Sequence, residues 1–379
     1  MKFELTQEQK MIKDMTQKFA SEELAPESVK RDVEKIWPHK QIKKMSELGL
    51  MGMMVDSKWG GTNMDTISYV VAMEEIAKVD ASAAVIMSVN NSLVCYIFQK
   101  YANDRQKKKY LVPLCRGERL GCFSLSEPQS GSDASNMNVY AKKEGDNFII
   151  SGTKNWVTNG IQSDVIMLFC VTEKNIGHNG ISCFIIDKDT PGVSVGKAEE
   201  KLGIRSSDTC ELYFDQVSVS KDNLVGELGD GFKIALSTLD GGRIGIAAQA
   251  LGIAQASLEN SIYYSKERKQ FGKPISANQS IQFKLADMAM QIEAARLLTY
   301  KAAWKKDSNM NFGVSASMAK VFASEVAMQS SNQCVQIHGG YGYIKETGVE
   351  RLMRDAKITQ IYEGTSEIQR VVIARDLLK

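Results

Sequence analysis

Apolar and polar positions divide the chain into a helical region, a β-rich region and a second helical region. Near the N-terminus, Thr6 followed by Gln9 forms a capping box, and Met11, Met15 and Phe19 follow at helical spacing. The pattern predicts a second helix over 67–79. The C-terminal part is rich in Ala, Leu, Ile, Met and Gln, and its spacing predicts long helices over 233–265, 276–305 and 314–335.

The middle of the chain has the composition of a β domain. Short apolar runs alternate with turn signals such as Glu144–Asn147 and His178–Gly180. We predict strands over Phe148–Ile150, Val165–Val171, Ile181–Ile186 and Glu211–Phe214. Because no helix of 10–15 residues separates them, the pattern favours an antiparallel barrel or sandwich over βαβ units. The predicted fold class is therefore α+β, with regions at 1–120, 121–232 and 233–379.

Composition and charge narrow the chemistry. The 379 residues contain 47 Lys and Arg against 45 Asp and Glu, a net charge of +2, which argues against a general nucleic-acid binder. The three histidines, His39, His178 and His338, lie far apart in sequence, and no cysteine lies at metal-ligand spacing from them. We therefore expect no metal site, and acid–base chemistry is left to carboxylates, Tyr or Lys.

The seven cysteines form no C-x-x-C pair, and their number is odd. Together with an N-terminal stretch that lacks an apolar core, this predicts buried free thiols in a reducing compartment, and we expect a cytoplasmic protein. No apolar run reaches the roughly 18 residues of a transmembrane helix, so no membrane association is expected.

Two segments of the middle region have both a structural and a functional interpretation. Phe123–Ala134 places hydroxyls, small residues and a proline after a short apolar strand; it is either an ordinary polar turn or a loop that presents donors to an anionic or heteroaromatic ligand. Asn155–Gly160 places Trp156 and Thr158 at the end of a strand. Taken alone, Trp156 fits core packing better than a contact with a flat cofactor.

The run Asp240–Arg243 places Gly241 and Gly242 inside a predicted helix. Each glycine costs roughly 1 kcal/mol relative to alanine in a helix. Their presence indicates either a close approach of another group to the backbone or a loop at a helix junction.

The segment 355–369 is the most informative. Ser366 and Gln369 match a capping box, so a final helix should begin near Ser366. Glu363 would then lie in the preceding loop, beside the flexible Gly364 and between apolar neighbours. Desolvation there would raise the pKa of its carboxyl group toward neutrality, as a general base requires. A carboxylate that simply faces a helix N-terminus is a credible interpretation for Glu367.

Taken together, these segments resemble the acyl-CoA dehydrogenase family, and its short-chain (butyryl-CoA) branch in particular. The resemblance extends from about Leu5 to the C-terminus and implies a C-terminal domain like a four-helix bundle. Six motifs occur in the family's order: 123–132, 156–158, 240–243, 268–272, 336–340 and 362–367.

The resemblance implies a role for each matching position. Glu363 corresponds to the catalytic base. Residues around the flavin ring of FAD would be Phe123, Leu125, Ser126, Gly131, Ser132, Trp156, Val157 and Thr158. Contacts to the rest of FAD would be Arg268, Phe271, Gln279, Gln336, Ile337, His338, Gly339, Gly340, Thr365, Ser366 and Glu367. Substrate contacts would be Ser132, Asp240, Gly241, Gly242, Arg243 and Gly364.

The implied reaction is FAD-dependent dehydrogenation of a short-chain acyl-CoA to the trans-2-enoyl-CoA, with electrons passed to an electron-transfer flavoprotein. A homo-oligomer, usually a tetramer built as a dimer of dimers, is also implied. Some relatives place the base near position 242, which is Gly242 here, and Thr359 replaces the Tyr of medium-chain relatives. The alternatives are a branched short-chain substrate, oxidase-like use of O2, and a non-enzymatic DNA-binding relative.

Overall fold

The computed structural model describes residues 4–379, and it contains the helical, β and helical regions in the predicted order. Thr6 caps the first helix: its Oγ1 accepts a hydrogen bond from the Gln9 backbone N–H at 3.2 Å, and Gln9 Oε1 accepts from the Thr6 N–H at 2.9 Å. The predicted capping box is confirmed. The helices of this region are α1 Gln7–Phe19, α2 Ser28–Glu34, α3 His39–Glu47, α4 Thr66–Val79, α5 Ala81–Ser88, α6 Tyr96–Tyr101, α7 Asp104–Gln106 and α8 Val112–Cys115.

The segment Ala81–Tyr101 is helical throughout, because a π-helical stretch joins α5 to α6. Its length and apolar composition would suit a membrane span, yet 94% of its apolar window is buried within the protein. It is therefore a core element of this fold, and it forms one wall of the site described below. All seven cysteines are buried free thiols.

The middle region forms one eight-stranded sheet. Its strands are β1 Gly121–Ser124, β2 Tyr140–Glu144, β3 Asn147–Thr158, β4 Val165–Val171, β5 Ile181–Asp187, β6 Val193–Val195, β7 Thr209–Ser220 and β8 Leu224–Val225. The order is β6-β7-β3-β2-β4-β5-β8, with β1 beside β4.

The expectation of purely antiparallel pairing is wrong for two pairs, β1–β4 and β2–β4, which are parallel. The reason is a local clamp at the start of β1. Asp164 accepts a hydrogen bond from the Leu120 N–H at 2.8 Å, and its own N–H donates to the Leu120 carbonyl at 2.8 Å. Because of this pairing, β1 and β4 begin next to each other and run parallel, although the β2–β3 hairpin lies between them in sequence.

The C-terminal region is a helical bundle. Its first two long helices are joined by a small β-hairpin. Its elements are α9 Gly231–Glu267, the short strands β9 Lys269–Gln270 and β10 Lys273–Pro274, α10 Gln279–Asp307, α11 Gly313–His338, α12 Gly340–Tyr343, α13 Val349–Thr359 and α14 Ser366–Leu377. The predicted helices 233–265 and 314–335 fall within α9 and α11, whereas the predicted helix 276–305 begins three residues before α10, because residues 275–277 form a separate 3₁₀ turn. Helix α9 is apolar on most of its surface because it packs against α4, α10, α11 and α13.

The three regions share contacts that hold the site between them. Arg354 on α13 donates to Asp32 on α2 at 2.6 Å and to the Leu202 carbonyl of the β region at 3.0 Å. Asn90 donates to the Met51 carbonyl at 2.8 Å, and its Oδ1 accepts from the Gly121 N–H at 3.2 Å. The start of β1 is therefore fixed to the N-terminal helices.

Candidate active site

Glu363 lies in the loop between α13 and α14, in an unusual backbone conformation. Its φ is +52° and that of Gly364 is +91°, so a non-glycine residue adopts the left-handed region beside a glycine that favours it. Such a conformation costs of the order of 1 kcal/mol or more and persists only when neighbouring groups hold it.

The final helix begins at Ser366 as predicted, but the predicted capping box is wrong. Thr365 is the N-cap, and its Oγ1 accepts from the Ile368 N–H at 3.3 Å. Gly364 places Thr365 in the extended conformation that an N-cap requires, so the cap falls one residue earlier. Gln369 instead turns back to the loop and donates to the carbonyls of Glu363 at 3.2 Å and Gly364 at 2.9 Å.

The Glu363 carboxylate lies against Gly242 of α9. Its Oε2 is buried and has no hydrogen-bond partner. A Cβ atom on Gly242 would lie 2.1 Å from that oxygen. Helix α9 continues through Gly241 and Gly242 without a break. The close-approach interpretation is therefore confirmed for Gly242 but not for Gly241, where a Cβ atom would meet nothing closer than 3.8 Å, and the alternative of a loop or junction is wrong.

Burial controls the protonation of this carboxylate. Desolvation raises the pKa of Glu363 from its ordinary value to about 7, against the opposing effect of the cations Lys320 and Arg243. A carboxylate with a pKa near neutrality is suited to accept a proton at physiological pH and later to release it.

Both cations come from helices that pack against the loop. Arg243 on α9 donates to Asp240 at 2.7 Å and to Ser317 at 3.3 Å. Lys320 on α11 has a fully buried side chain, and its Nζ donates to the Gly364 carbonyl at 2.7 Å. No motif identifies Lys320 as a site residue; its only signal in the sequence is a lone charge in the otherwise uncharged stretch 313–324.

The opposite wall carries hydroxyl groups that the sequence did not reveal. Tyr69 on α4 donates to Ser88 at 3.1 Å, and the Ser88 and Ser92 hydroxyls lie 3.2 Å apart. A Cβ atom on Gly245 would lie 2.7 Å from both the Tyr69 and the Ser88 hydroxyl oxygens. The serines are spaced four residues apart, but no pattern in the sequence indicates that their helix faces α9.

The Phe123–Ser132 loop is held in a fixed conformation by a buried ion pair, which an ordinary polar turn lacks. The Glu127 carboxylate accepts from the N–H groups of Asn138 at 2.6 Å and Val139 at 3.0 Å. The fully buried Lys154 donates to Glu127 at 2.9 Å and to the Leu125 carbonyl at 2.7 Å. This buried ion pair fixes the loop to β3. At the tip of the loop, a Cβ atom on Gly131 would have no other atom within 4 Å.

Trp156 lies beside this loop, at a register shift of β3 between Lys154 and Val157. Its φ is +58° and its side chain is 61% exposed, whereas Val157 is buried. The core-packing interpretation of Trp156 is therefore wrong. The bulge turns the indole outward, where it is available to a flat ligand.

A second group of predicted ligand contacts lies at the far end of the bundle. A cavity of about 550 Å³ there is lined by Tyr264, Arg268, Gln270, Ile275, Ile337, His338, Gly339, Gly340, Tyr341 and Ile344. His338 stacks on Tyr264 with ring centroids 4.2 Å apart, and burial lowers the pKa of its imidazole. Phe271, in the β9–β10 hairpin, is 99% exposed, and Gln279 begins α10.

The two groups are far apart in one chain. Gly242 and Arg268 are 26 positions apart along α9 and its end, which corresponds to about 39 Å at the helical rise. The first group comprises Glu363 and Gly242 together with the predicted flavin-ring contacts of the β region, and the second includes Arg268 and Phe271. Thr365 and Ser366 belong to the Glu363 loop, and Glu367, in the first turn of α14, has its pKa lowered by its own backbone N–H and by Thr365.

Both groups have the features that FAD needs. The first offers an exposed indole beside a loop with free glycine backbone. The second offers a guanidinium and the open backbone of Gly339 and Gly340, where a side-chain position meets no other atom. Exposed aromatic faces suit a flavin ring, and a cation beside backbone that a ligand can approach closely suits its phosphates. The residues present therefore fit this cofactor.

Comparison with known proteins decides the family. Family descriptions for the N-terminal, middle and C-terminal domains of acyl-CoA dehydrogenases match residues 6–118, 122–217 and 229–378. The chain belongs to the acyl-CoA dehydrogenase family. Members of this family bind FAD. The fold expected from the resemblance is thereby confirmed.

Several relatives that match over all or nearly all of their length are named as short-chain enzymes. The chain is 48% identical to the mitochondrial short-chain specific acyl-CoA dehydrogenase of Rattus norvegicus, over 99% of this chain and 91% of that protein. The solved butyryl-CoA dehydrogenase of Megasphaera elsdenii matches with a TM-score of 0.99 and 48% identity over all of both chains. A chain from a structure described as the electron transferring flavoprotein of Acidaminococcus fermentans matches equally well, with the same TM-score, identity and coverage.

Proposed function

We propose that this acyl-CoA dehydrogenase converts short-chain acyl-CoA thioesters, such as butyryl-CoA, to trans-2-enoyl-CoA, with Glu363 as the base. The observation that supports this assignment is the Glu363 Oε2 atom, which is buried, lacks a hydrogen-bond partner and faces the bare backbone of Gly242. A carboxylate oxygen that no protein donor satisfies is free to take a proton from a substrate carbon.

The reaction removes one proton and one hydride. Glu363 takes the proton from Cα, which leaves the C–H electron pair to form the new double bond as the hydride departs from Cβ. FAD, when bound, accepts that hydride and supplies the redox chemistry. The protein orients the thioester so that Cα meets the carboxylate, and the buried surroundings of Glu363 keep water from protonating the base.

The acidity of the α-proton depends on stabilising charge at the thioester oxygen. Among residues 4–379, the Glu363 backbone N–H makes no hydrogen bond, so it is available to donate to that oxygen. We propose that one residue supplies both the base and an oxyanion donor.

The proposed ligand contacts follow the two groups. Residues 123–132 and 156–158 would surround the flavin ring, and Asp240–Arg243 with Gly364 would contact the acyl-CoA. The small Thr359 is fully buried next to the loop that carries Glu363. Together with the short-chain relatives, it supports a pocket for a short acyl chain.

The separation along α9 supports a homo-oligomer. An FAD whose flavin ring lies beside a substrate at Gly242 would have to extend about 39 Å along α9 to reach Arg268 of the same chain, which is longer than the cofactor. We propose that Arg268, Phe271, Gln279 and residues 336–340 contact the cofactor of a neighbouring subunit in a tetramer. The 99% exposure of the Phe271 ring supports this assignment, because a single chain leaves it uncovered. We also propose an electron-transfer flavoprotein as the electron acceptor.

A chain-length series tests the proposed substrate. The purified flavoprotein is mixed anaerobically with C4, C6, C8 and branched C4 acyl-CoA, and the loss of flavin absorbance is followed. We expect butyryl-CoA to bleach the flavin fastest. Faster bleaching by C8 or by the branched substrate would contradict the short straight-chain assignment. Peroxide formation in air, at the rate of turnover, would instead favour the oxidase alternative.

A further inference from the structure

Lys320 is a buried cation at the base of the catalytic loop. It lies on α11, its side chain is completely buried, and its Nζ donates to the Gly364 carbonyl at 2.7 Å. That is the one hydrogen bond of this ammonium among residues 4–379. Burying an ammonium group costs free energy because it loses its hydration. A lysine at this buried position therefore needs a functional explanation.

The carbonyl that Lys320 binds is the one next to the proposed base. Gly364 accepts a second hydrogen bond from Gln369 at 2.9 Å, and Gln369 also binds the Glu363 carbonyl at 3.2 Å. Glu363 and Gly364 both adopt positive φ values, at +52° and +91°. Lys320 and Gln369 thus both donate to the Gly364 carbonyl, directly after Glu363. These hydrogen bonds hold Glu363 in its strained conformation, in which its carboxylate lies against Gly242.

The positive charge of Lys320 also lies close to the loop that carries Glu363. The charged or titratable groups that face Glu363 and Lys320 from the neighbouring elements are Tyr69 of α4, Arg243 of α9, Tyr362, and Glu367 of α14. Arg243 is paired with Asp240 at 2.7 Å. Lys320 has no carboxylate within salt-bridge distance among residues 4–379, so its charge is not neutralised by a fixed partner.

We propose that Lys320 is a positioning residue for Glu363, which fixes the Gly364 carbonyl and stabilises the carboxylate form of the base. This inference rests on the proposed function of Glu363. The hydrogen bond holds the loop in its left-handed conformation, and the positive charge offsets part of the burial that disfavours the Glu363 carboxylate.

The test separates charge from geometry. Lys320→Met removes both the charge and the donor, while Lys320→Gln removes the charge and keeps an amide donor, and it also serves if the methionine variant fails to fold. The matched control is Lys188→Met, because Lys188 likewise donates to a backbone carbonyl, that of Ile161, at 2.6 Å, but lies in the β region.

The direct readout is the pKa of Glu363, measured from its carboxyl stretching band by infrared titration, with Glu363→Gln as the blank. Loss of the charge should raise this pKa by about one unit in both Lys320 variants and leave it unchanged in Lys188→Met. The acidic limb of the pH profile for flavin bleaching should move by the same amount. The methionine variant should in addition lose about tenfold in the bleaching rate at saturating butyryl-CoA, with FAD content retained.

The outcomes distinguish this inference from the proposed function. An unchanged Glu363 pKa in both Lys320 variants overturns the inference, whatever the enzyme does with butyryl-CoA. If the wild-type flavin is not bleached by butyryl-CoA, the proposed function fails, and the infrared titration still decides whether Lys320 controls Glu363.

Discussion

A Cβ atom on Gly242 would lie 2.1 Å from Oε2 of Glu363, well inside any allowed contact. The two residues are 121 positions apart in sequence, and the first lies in the middle of an intact helix. The helix therefore carries a costly glycine so that the loop carboxylate can lie directly against its backbone. The active-site geometry depends on this contact.

Gly242→Ala should therefore displace the carboxylate. A misplacement of about 1 Å can cost roughly a hundredfold in rate, and we expect a loss of that size in flavin bleaching by butyryl-CoA. The comparison is Lys233→Ala, an exposed position of the same helix outside the proposed contacts. Equal losses in the two variants would contradict the steric explanation.

The rate of flavin reduction should depend on the protonation of Glu363. Because burial raises the pKa of this group to about 7, the reactive carboxylate is scarce below that pH and predominates above it. We expect the single-turnover rate to rise as the pH increases from 6 to 8, with its midpoint near 7 in the free enzyme. Stopped-flow measurement across this range checks the prediction; a rate already constant from pH 5 upward would refute it.

The same pKa predicts an effect on stability. A carboxyl group whose pKa is higher in the folded state than its ordinary value of 4.5 destabilises the protein progressively as the pH rises from about 4.5 to about 7. Glu363→Gln removes this cost, so the variant should exceed wild type by about 2 kcal/mol in free energy of unfolding at pH 8.

Urea unfolding at pH 8 and pH 5 provides the measurement. The difference between Glu363→Gln and wild type should shrink at pH 5, where the wild-type carboxyl group is already protonated in the folded protein. A variant that is less stable than wild type at pH 8 would show that the fold stabilises the Glu363 carboxylate, which is incompatible with a raised pKa.

The buried pair of Lys154 and Glu127 supports the loop proposed to contact the flavin. The side chains of Lys154 and Glu127 are 0% and 1% exposed, respectively. Lys154→Met would leave the Glu127 charge buried without its partner, a change that typically costs 3–5 kcal/mol, about the amount we expect for this variant. The variant should also lose FAD more readily on dilution. Glu127→Gln in the same chain should restore part of the stability, and Lys142→Met, at the exposed pair with Glu144, should have little effect.

The sequence predicted the fold to the extent that it depends on local patterns. Periodicity located the long helices and most strands, and the Thr6 capping box was confirmed. The glycines at 241 and 242 indicated a close approach because they are costly in a helix. The predicted final cap was wrong by one residue because Thr365 and Ser366 are both residue types that cap helices, and the local sequence does not decide between them.

The parts that could not be predicted depend on contacts between distant segments. The parallel pairing of β1 with β4 needs the Leu120–Asp164 clamp, which no periodicity shows. Lys320, Tyr69 and Ser88 reach the site because α11, α4 and α5 pack on α9. A β-bulge turns the Trp156 side chain outward. The sequence alone did not show this, because a tryptophan at the end of a strand can be either buried or exposed.

The most direct test of the central claim, that Glu363 is the base, is anaerobic reduction of the bound flavin by butyryl-CoA in Glu363→Gln and wild type at pH 8. The matched control is Glu144→Gln, an exposed carboxylate on the β2–β3 hairpin. We predict that the Glu363 variant retains FAD and binds the substrate but bleaches at least a thousandfold more slowly, about the effect of removing a general base. The control should match wild type. Undiminished bleaching by the FAD-loaded Glu363→Gln variant would contradict the assignment of Glu363 as the base.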